Sequence, residues 1–357
     1  MKTLKFVIVL LSITTALTAQ SQIPSRGESP ATQLKPVEPN GAILDAFKTH
    51  PIAALGNIEF SGNEQCHAFQ LSLIRDPRFA AAVNDIVVEF GNAKYQDVAD
   101  RFVRGEDVPY DSLRHIWQDT TQVEFIWDLP IYEDFFRAVR AVNASLPPSR
   151  HLRVLLGDPP IDWATVRSRE DLDKFASQRD TYAVDVIRRE VLAKKHHALL
   201  IFGTQHLLRK NTVLGAADEG ARGIVGLLEK DGTAAVFTVM PEVRRDLIAL
   251  QPDIASWPKP SLATVRGTVL GGMLWDSNPQ RRPVRVEDQI DAILYLGPSA
   301  SMTMSKLSPG LCADREYMEM RTSRLGLIPP PPGAPFTPAD QLKRYCADSA
   351  KQSTTTK

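Results

Sequence analysis

Residues 85–91 read DIVVEFG, an apolar run that starts at an aspartate, ends at a glycine and has one carboxylate, Glu89, in its interior. A short run of this kind, rich in β-branched residues, is typical of a strand that is buried on both faces. Other runs of the same type, bounded by Gly, Asp or Pro, recur along the chain. They are Ile52–Gly56, Arg153–Pro159, Ala198–Gly203, Ala234–Met240 and Asp291–Gly297.

Segments with apolar residues at helical spacing separate these runs. They are Glu64–Arg75, Tyr95–Arg104, Tyr132–Asn143, Asp171–Ala193, Leu214–Glu229 and Pro241–Leu250. Alternation of buried strands with amphipathic helices is typical of an α/β protein. The sequence therefore predicts a mainly parallel sheet with helices on both faces, formed by a single α/β domain over residues 41–310.

The two ends of the chain depart from this pattern. In residues 1–19, two lysines precede an apolar run and then small residues, which is the layout of a secretory signal peptide. Residues 20–40 contain several prolines and predict an extended leader. Residues 311–357 include four consecutive prolines and predict a proline-rich tail that wraps on the body, with a short helix near residues 339–346.

Composition excludes some classes of function. The 357 residues include 42 basic and 42 acidic side chains, so the chain lacks the basic surplus of a nucleic-acid-binding protein. No run reaches the ~18 apolar residues of a membrane span, so we expect no stable membrane anchor. The signal peptide predicts export to the periplasm or the medium. In such an oxidising compartment Cys312 and Cys346 could form a disulfide, with Cys66 as the third cysteine outside it.

Ligands of open α/β sheets bind beyond the carboxyl ends of the strands. Four of the predicted strands deliver acidic or histidine side chains to that edge. These candidates are Glu59, Glu64 and His67 after the first strand, Glu89 in the second, Asp158 in the third and His206 after the fourth. Imidazoles on two sides of a cleft, with a carboxylate between them, can activate water or hold a metal ion.

Glu89 is the most informative candidate because it lies inside an apolar run. Burial raises the pKa of a carboxyl unless a cation lies nearby, which makes Glu89 a candidate acid–base group. The alternative is a buried ion pair with an arginine such as Arg75 or Arg101. For Asp158, a structural role in a turn is an equal alternative. The charged residues 179–180 are interpreted as a solvated helix face or as ion-pair partners.

Five segments together resemble the superfamily of erythromycin esterase, ChaN and Tiki proteins. The matching segments are Ala54–His67, Val88–Phe90, Leu156–Asp158, Gly203–His206 and Asp291–Gly297. The chain is also similar to a group of exported bacterial proteins that carry the segments Asn84–Gln96 and Arg153–Trp163.

The resemblance implies an α/β fold with a cleft at the strand ends. It implies hydrolysis of esters or peptides, dependent on a divalent metal in some members, or binding of haem. Members usually have Gly-Glu-x-His or Gly-Glu-x-x-His after the first strand. In this sequence Asn57 follows Gly56, and Phe60 or Ser61 stands at the position of the histidine.

The leading hypothesis is an exported esterase-like hydrolase that acts on a small-molecule or peptide substrate. In this hypothesis His67 or His206 is the general base on water, and Glu89 orients that imidazole. Glu59 or Glu64 completes the polar cleft.

Two alternatives remain open. The first is a protein that binds haem or another small ligand, with His67, His206 or Tyr95 as an axial ligand. The second is a catalytically inactive member of the superfamily, whose loop after the first strand has lost the motif.

Overall fold

The computed structural model describes residues 32–57, 62–214, 223–230, 232–241, 254–330 and 333–355. The predicted signal peptide and the first part of the predicted leader lie outside these residues. The candidate Glu59, the motif positions Phe60 and Ser61, and most of the predicted helix Pro241–Leu250 also lie outside them.

Seven strands form one sheet in the order β3-β2-β4-β1-β5-β7-β6. All neighbours are parallel except β6, which runs antiparallel to β7 at one edge. The strands are β1 Ile52–Asn57, β2 Asp85–Asn92, β3 Arg153–Asp158, β4 Ala198–Gly203, β5 Val236–Pro241, β6 Ser261–Thr264 and β7 Ala292–Tyr295. The predicted α/β fold and its six strands are confirmed. Sequence analysis missed β6, whose four residues are too short to form an apolar run.

Helices fill the connections. They are α1 Pro39–Ala46, α2 Glu64–Ile74, α3 Phe79–Ala82, α4 Gln96–Val103, α5 Tyr110–Gln118, α6 Pro130–Asn143, α7 Arg169–Ala176, α8 Arg179–Val186, α9 Gly223–Lys230, α10 Val269–Gly272, α11 Pro309–Ala313, α12 Arg315–Leu325 and α13 Pro338–Thr355.

The predicted helix Asp171–Ala193 is in fact two helices, α7 and α8, followed by a π-helical turn at Ile187–Val191. At the C-terminal end of α7, the hydroxyl of Ser177 donates a hydrogen bond to the carbonyl of Asp173, and the side chain of Gln178 donates one to the carbonyl of Lys174. The break allows α8 to begin at Arg179.

The two faces of the sheet carry separate cores, since alternate residues of a strand point to opposite faces. Val88 and Phe90 of β2 pack with residues of α2, α4, α5 and α6. Val87 packs on the other face, with residues of α8 and α9. By this alternation Glu89 faces the side of α8.

The predicted tail is largely helical, because it contains α12, α13 and most of α11. Cys312 and Cys346 form the predicted disulfide, with their Cα atoms 5.4 Å apart. Arg321 of α12 is 1% exposed and pairs with the buried Asp128, so the tail packs against the domain. None of the helices in the described part of the chain is both long enough and apolar enough to cross a membrane.

Candidate functional site

Glu89 is a buried carboxylate near the carboxyl end of β2, with a side chain that is 8% exposed. It accepts hydrogen bonds from the backbone N–H of Gly203 at 2.6 Å and from Nη2 of Arg179 at 2.6 Å. Its Oε1 also lies 3.2 Å from Nε2 of His206. Three segments, β4, α8 and the turn after β4, therefore supply donors to this one side chain.

These residues and their neighbours form one group at the carboxyl edge of the sheet, which we call the strand-end cluster. Its members are Glu89, Asp158, Arg179, Asp180 and His206. The alternative that the sequence left open for Glu89, a buried ion pair, is present here, but the partner is Arg179 rather than Arg75 or Arg101.

His206 lies between two carboxylates. Its Nδ1 is hydrogen-bonded to Asp180, and its Nε2 faces Glu89. Burial lowers the pKa of His206, but the charge of Glu89 and the hydrogen bonds to Asp180 and Glu89 outweigh it and raise the pKa to about 10. His206 is therefore an imidazolium at neutral pH, with both nitrogens donating.

The charge on Glu89 is stabilised in return. Burial raises the pKa of Glu89, but the charge and hydrogen bond of His206 and the charge of Arg179 outweigh this and bring the pKa down to about 2. The sequence predicts a raised pKa only where no cation lies nearby, and two cations lie within 3.2 Å. Glu89 is thus ionised at neutral pH and holds His206 in its charged form.

Asp158 at the end of β3 belongs to the same cluster because Nε of Arg179 lies 3.5 Å from its Oδ1. Thr121 donates to it twice, from its backbone N–H at 2.7 Å and from its hydroxyl at 2.6 Å. Complete burial nevertheless raises the pKa of Asp158 to about 7, against the lowering effects of Arg179 and Thr121. Asp158 is therefore the carboxyl group of the cluster that changes charge near neutral pH.

His67 lies on the opposite side of the sheet, on α2. Burial, together with the charge of Arg75, lowers the pKa of His67 to about 4, so the imidazole is neutral at pH 7. Its Nε2 is buried and has no hydrogen-bond partner among the described residues. It lines a cavity of about 10 Å³ with Asn57, Gln70 and Tyr132, which is space for about one water molecule.

The end of β1 separates the two histidines. The side-chain oxygen of Asn57 accepts a hydrogen bond from Gln70 of α2 at 2.6 Å. The backbone carbonyl of Asn57 accepts one from the hydroxyl of Thr204, in the turn that carries His206, at 2.8 Å. Asn57 thus connects the side of His67 to the side of His206, although no hydrogen bond joins the two imidazoles within the described ranges.

The candidates Glu64 and Tyr95 make their hydrogen bonds outside the strand-end cluster. Glu64 is exposed and accepts a hydrogen bond from the hydroxyl of Thr303 at 2.6 Å. Tyr95 donates its hydroxyl proton to Asp119 at 2.8 Å, and burial together with Asp119 raises the pKa of its phenol. Glu59 lies outside the described residues.

Arg179, Asp180 and Thr121 were not among the site residues predicted from the sequence. A charged Arg-Asp pair at the start of a helix has the pattern of a solvated surface, and nothing in the spacing shows that it meets β2. The available signal was indirect: a carboxylate inside a buried strand requires a cation. That requirement makes each arginine near the start of a neighbouring helix a candidate partner.

The candidate ligands His67, His206 and Tyr95 do not fit a bound divalent metal or haem. No group of three or more His, Cys, Asp or Glu side chains within them could hold a metal ion. Both ring nitrogens of His206 face carboxylates, so its imidazole offers no free lone pair for an axial ligand. The hydroxyl of Tyr95 donates to Asp119, and its raised pKa keeps the phenol from becoming the phenolate that would bind iron. The cavity beside His67, about 10 Å³, is far smaller than the roughly 300–1,000 Å³ of typical cofactor pockets.

No protein-family model matches the sequence, and no curated protein matches it. Solved structures match in fold. A succinoglycan biosynthesis protein matches with a TM-score of 0.57 and 8% identity, over 77% of this chain and 96% of that one. An erythromycin esterase mutant in its open conformation matches with a TM-score of 0.50 and 12% identity, over 75% of this chain and 94% of the esterase chain. ChaN of Campylobacter jejuni, with cofacial haem, matches with a TM-score of 0.37 and 13% identity, over 58% of this chain and 87% of the ChaN chain. The chain therefore has an erythromycin esterase-like fold.

Proposed function

We propose that this protein is a hydrolase that cleaves ester or amide bonds in a small-molecule or peptide substrate. One observation carries the proposal: the pKa of His67 is lowered to about 4, and the pKa of His206 is raised to about 10. Environments that shift the pKa values of two titratable groups in opposite directions are typical of the acid and base of an active site. At neutral pH the chain thus holds one imidazole as a neutral base and another as a charged acid.

His67 is the general base on water in this proposal. Its Nε2 has no hydrogen-bond partner among the described residues, and the adjacent cavity has space for about one water molecule. A neutral imidazole that accepts a proton from water makes that water a nucleophile towards an acyl carbon.

His206 is the general acid in this proposal: as water adds to the acyl carbon and the bond to the leaving group breaks, Nδ1 donates its proton to the leaving group. Of its two carboxylate partners, Asp180 is 33% exposed and Glu89 is 8% exposed. A substrate oxygen would therefore replace Asp180 at Nδ1, whereas Glu89 stays in place and keeps the imidazole charged. This assigns Glu89 as the residue that orients the acid.

Export of the protein is proposed on two grounds. Residues 1–19 have the layout of a signal peptide. The disulfide between Cys312 and Cys346 is of a kind that persists in oxidising compartments.

The test is a pH–rate profile measured on a panel of p-nitrophenyl esters and aminoacyl p-nitroanilides. We expect a plateau bounded by an acid limb near pH 4, where His67 becomes protonated, and an alkaline limb near pH 10, where His206 loses its proton. His67→Gln should remove the acid limb and His206→Gln the alkaline limb, each with a loss of about 10²–10⁴ in rate. His151→Gln is the matched control, since His151 contacts a backbone carbonyl away from the cluster.

Two results would overturn the proposal. One is that the wild-type protein cleaves no member of the panel, and the other is that both histidine variants keep the wild-type profile. Addition of haem should leave the Soret band of free haem unchanged. A Soret shift that His67→Gln abolishes would instead support the haem-binding alternative.

A further inference from the structure

We infer that helix α12 of the C-terminal segment is part of the machinery of the site, and that Arg321 and Arg324 are positioning residues. They hold residues 118–123, which we call the bridging segment. The bridging segment in turn holds two members of the strand-end cluster, Asp158 and Arg179. This inference rests on the proposed function, because it assigns the distant tail a role in that site.

The first step is the contact between α12 and the bridging segment. Arg321, which is 1% exposed, donates to the carbonyl groups of Val123 at 3.2 Å and Gln118 at 3.1 Å. Arg324 donates to the same carbonyl of Gln118 at 2.8 Å and to the carboxylate of Asp119 at 2.6 Å. Two guanidinium groups of one helix thus hold both ends of the bridging segment.

The second step is the contact between the bridging segment and the cluster. Thr121 donates its N–H and its hydroxyl to the two oxygens of Asp158, at 2.7 and 2.6 Å. The next residue, Gln122, accepts a hydrogen bond from Nη1 of Arg179 at 3.2 Å. Nη2 of the same guanidinium binds Glu89, so the bridging segment contacts Asp158 and Arg179 directly and reaches Glu89 through Arg179.

The bridging segment needs external donors because most of it is irregular. It begins at the last residue of α5 and ends before the short helical turn at Phe125–Asp128. A backbone outside helices and strands keeps its position only where its carbonyl groups find partners. A planar guanidinium that donates in two directions fixes such carbonyls with little loss of rotational freedom.

The expected effect of loosening the bridging segment concerns Asp158. Besides Arg179, this carboxyl faces the charge of Glu89 on β2 and the phenol of Tyr182 on α8. Its hydrogen bonds from Thr121 favour the ionised form. If Thr121 moves away, Asp158 should take up a proton at higher pH than in the wild-type protein.

Arg324→Gln is the test variant, because Arg324 is 12% exposed and lies at the edge of the contact, whereas Arg321 is completely enclosed and its loss could prevent folding. Arg315→Gln is the matched control. Arg315 lies on the same helix, is 87% exposed and pairs with Glu319.

Two readouts do not depend on any substrate. Hydrogen exchange followed by mass spectrometry reports the amide of Thr121, which should exchange faster in Arg324→Gln, while the amides of β4 stay protected. Carboxyl NMR titration with ¹³C-labelled aspartate, assigned with Asp158→Asn, should show the Asp158 midpoint rising by about one pH unit. Arg315→Gln should match the wild-type protein in both.

An unchanged Asp158 titration in Arg324→Gln would overturn the inference, as would equal exchange at Thr121 in the two variants. A general loss of protection across β4 would also overturn it, since Arg324 would then act through overall stability alone. If the wild-type protein hydrolyses an ester, Arg324→Gln should hydrolyse it with a lower kcat and an unchanged KM. If no substrate is hydrolysed but the Asp158 midpoint still shifts, the proposed function fails and the positioning role stands.

Discussion

Glu89→Gln removes one negative charge from the strand-end cluster and keeps the shape of the side chain. The amide oxygen can still accept the hydrogen bond from Gly203, but Arg179 and the imidazolium of His206 lose their shared partner. Both of these cations are at least three-quarters buried, so water replaces the lost contact only in part. We therefore expect the variant to be folded but much less stable.

The magnitude follows from the pKa of Glu89, which falls from 4.5 to about 2 in the folded protein. Each pKa unit corresponds to about 1.4 kcal/mol, so ionisation of Glu89 contributes about 3 kcal/mol at pH 7. Loss of one partner of a buried ion pair typically costs about 3–5 kcal/mol, which agrees with this value. Because the folded pKa is the lower one, the contribution is complete above about pH 5 and disappears as the pH falls from 4.5 towards 2.

The assay is urea unfolding of the wild-type protein and Glu89→Gln at pH 7, 5 and 3. The difference in free energy of unfolding should be about 3 kcal/mol at pH 7 and pH 5 and clearly smaller at pH 3. Glu64→Gln is the control, since Glu64 is exposed and should change stability by no more than about 0.5 kcal/mol. Equal stability of Glu89→Gln and the wild-type protein at pH 7 would refute the ion-pair reasoning.

Three further predictions concern other parts of the chain. Reduction of the bond between Cys312 and Cys346 should lower the free energy of unfolding by about 3–4 kcal/mol, and thiol labelling of the denatured, unreduced protein should modify Cys66 alone. Because burial raises the pKa of Asp158 from 3.8 to about 7, the contribution of Asp158 to stability should decline as the pH rises across that interval, and a series of melting curves should show Asp158→Asn gaining stability relative to the wild-type protein over the same range. If the protein is exported as proposed, N-terminal sequencing should find a mature chain that starts near Gln20, and an intact Met1 would contradict this.

The strands could be predicted from the sequence because they are buried on both faces, and such burial leaves a continuous apolar run. The run at Ala198–Gly203 is an example, with every residue before its glycine buried. The four residues of β6, in contrast, pair at the edge of the sheet, where hydrogen bonds to β7 rather than a long apolar run decide the conformation. An edge strand of this length has no distinct pattern.

The site could be predicted in part, for a reason of topology. Strands β2, β3 and β4 are parallel neighbours, so the polar residues at their carboxyl ends must meet at one edge of the sheet. This brings together Glu89, Asp158 and His206. His67 is on a helix, and the face on which a helix packs depends on the whole core rather than on the spacing of its own residues.

Burial and charge pairing together explain why the two buried carboxyl groups of the strand-end cluster, Glu89 and Asp158, differ so widely in pKa. Arg179 and His206 supply two positive charges, and Glu89 and Asp180 supply two negative charges, so these four groups neutralise one another. A fifth ionised group would be a surplus charge in a buried place, and Asp158, whose side chain is 0% exposed, is that fifth group. Burial therefore raises the pKa of Asp158, and the neighbouring charge of Glu89 adds to the rise. No single segment of sequence contains that information, because the five residues come from four separate segments of the chain.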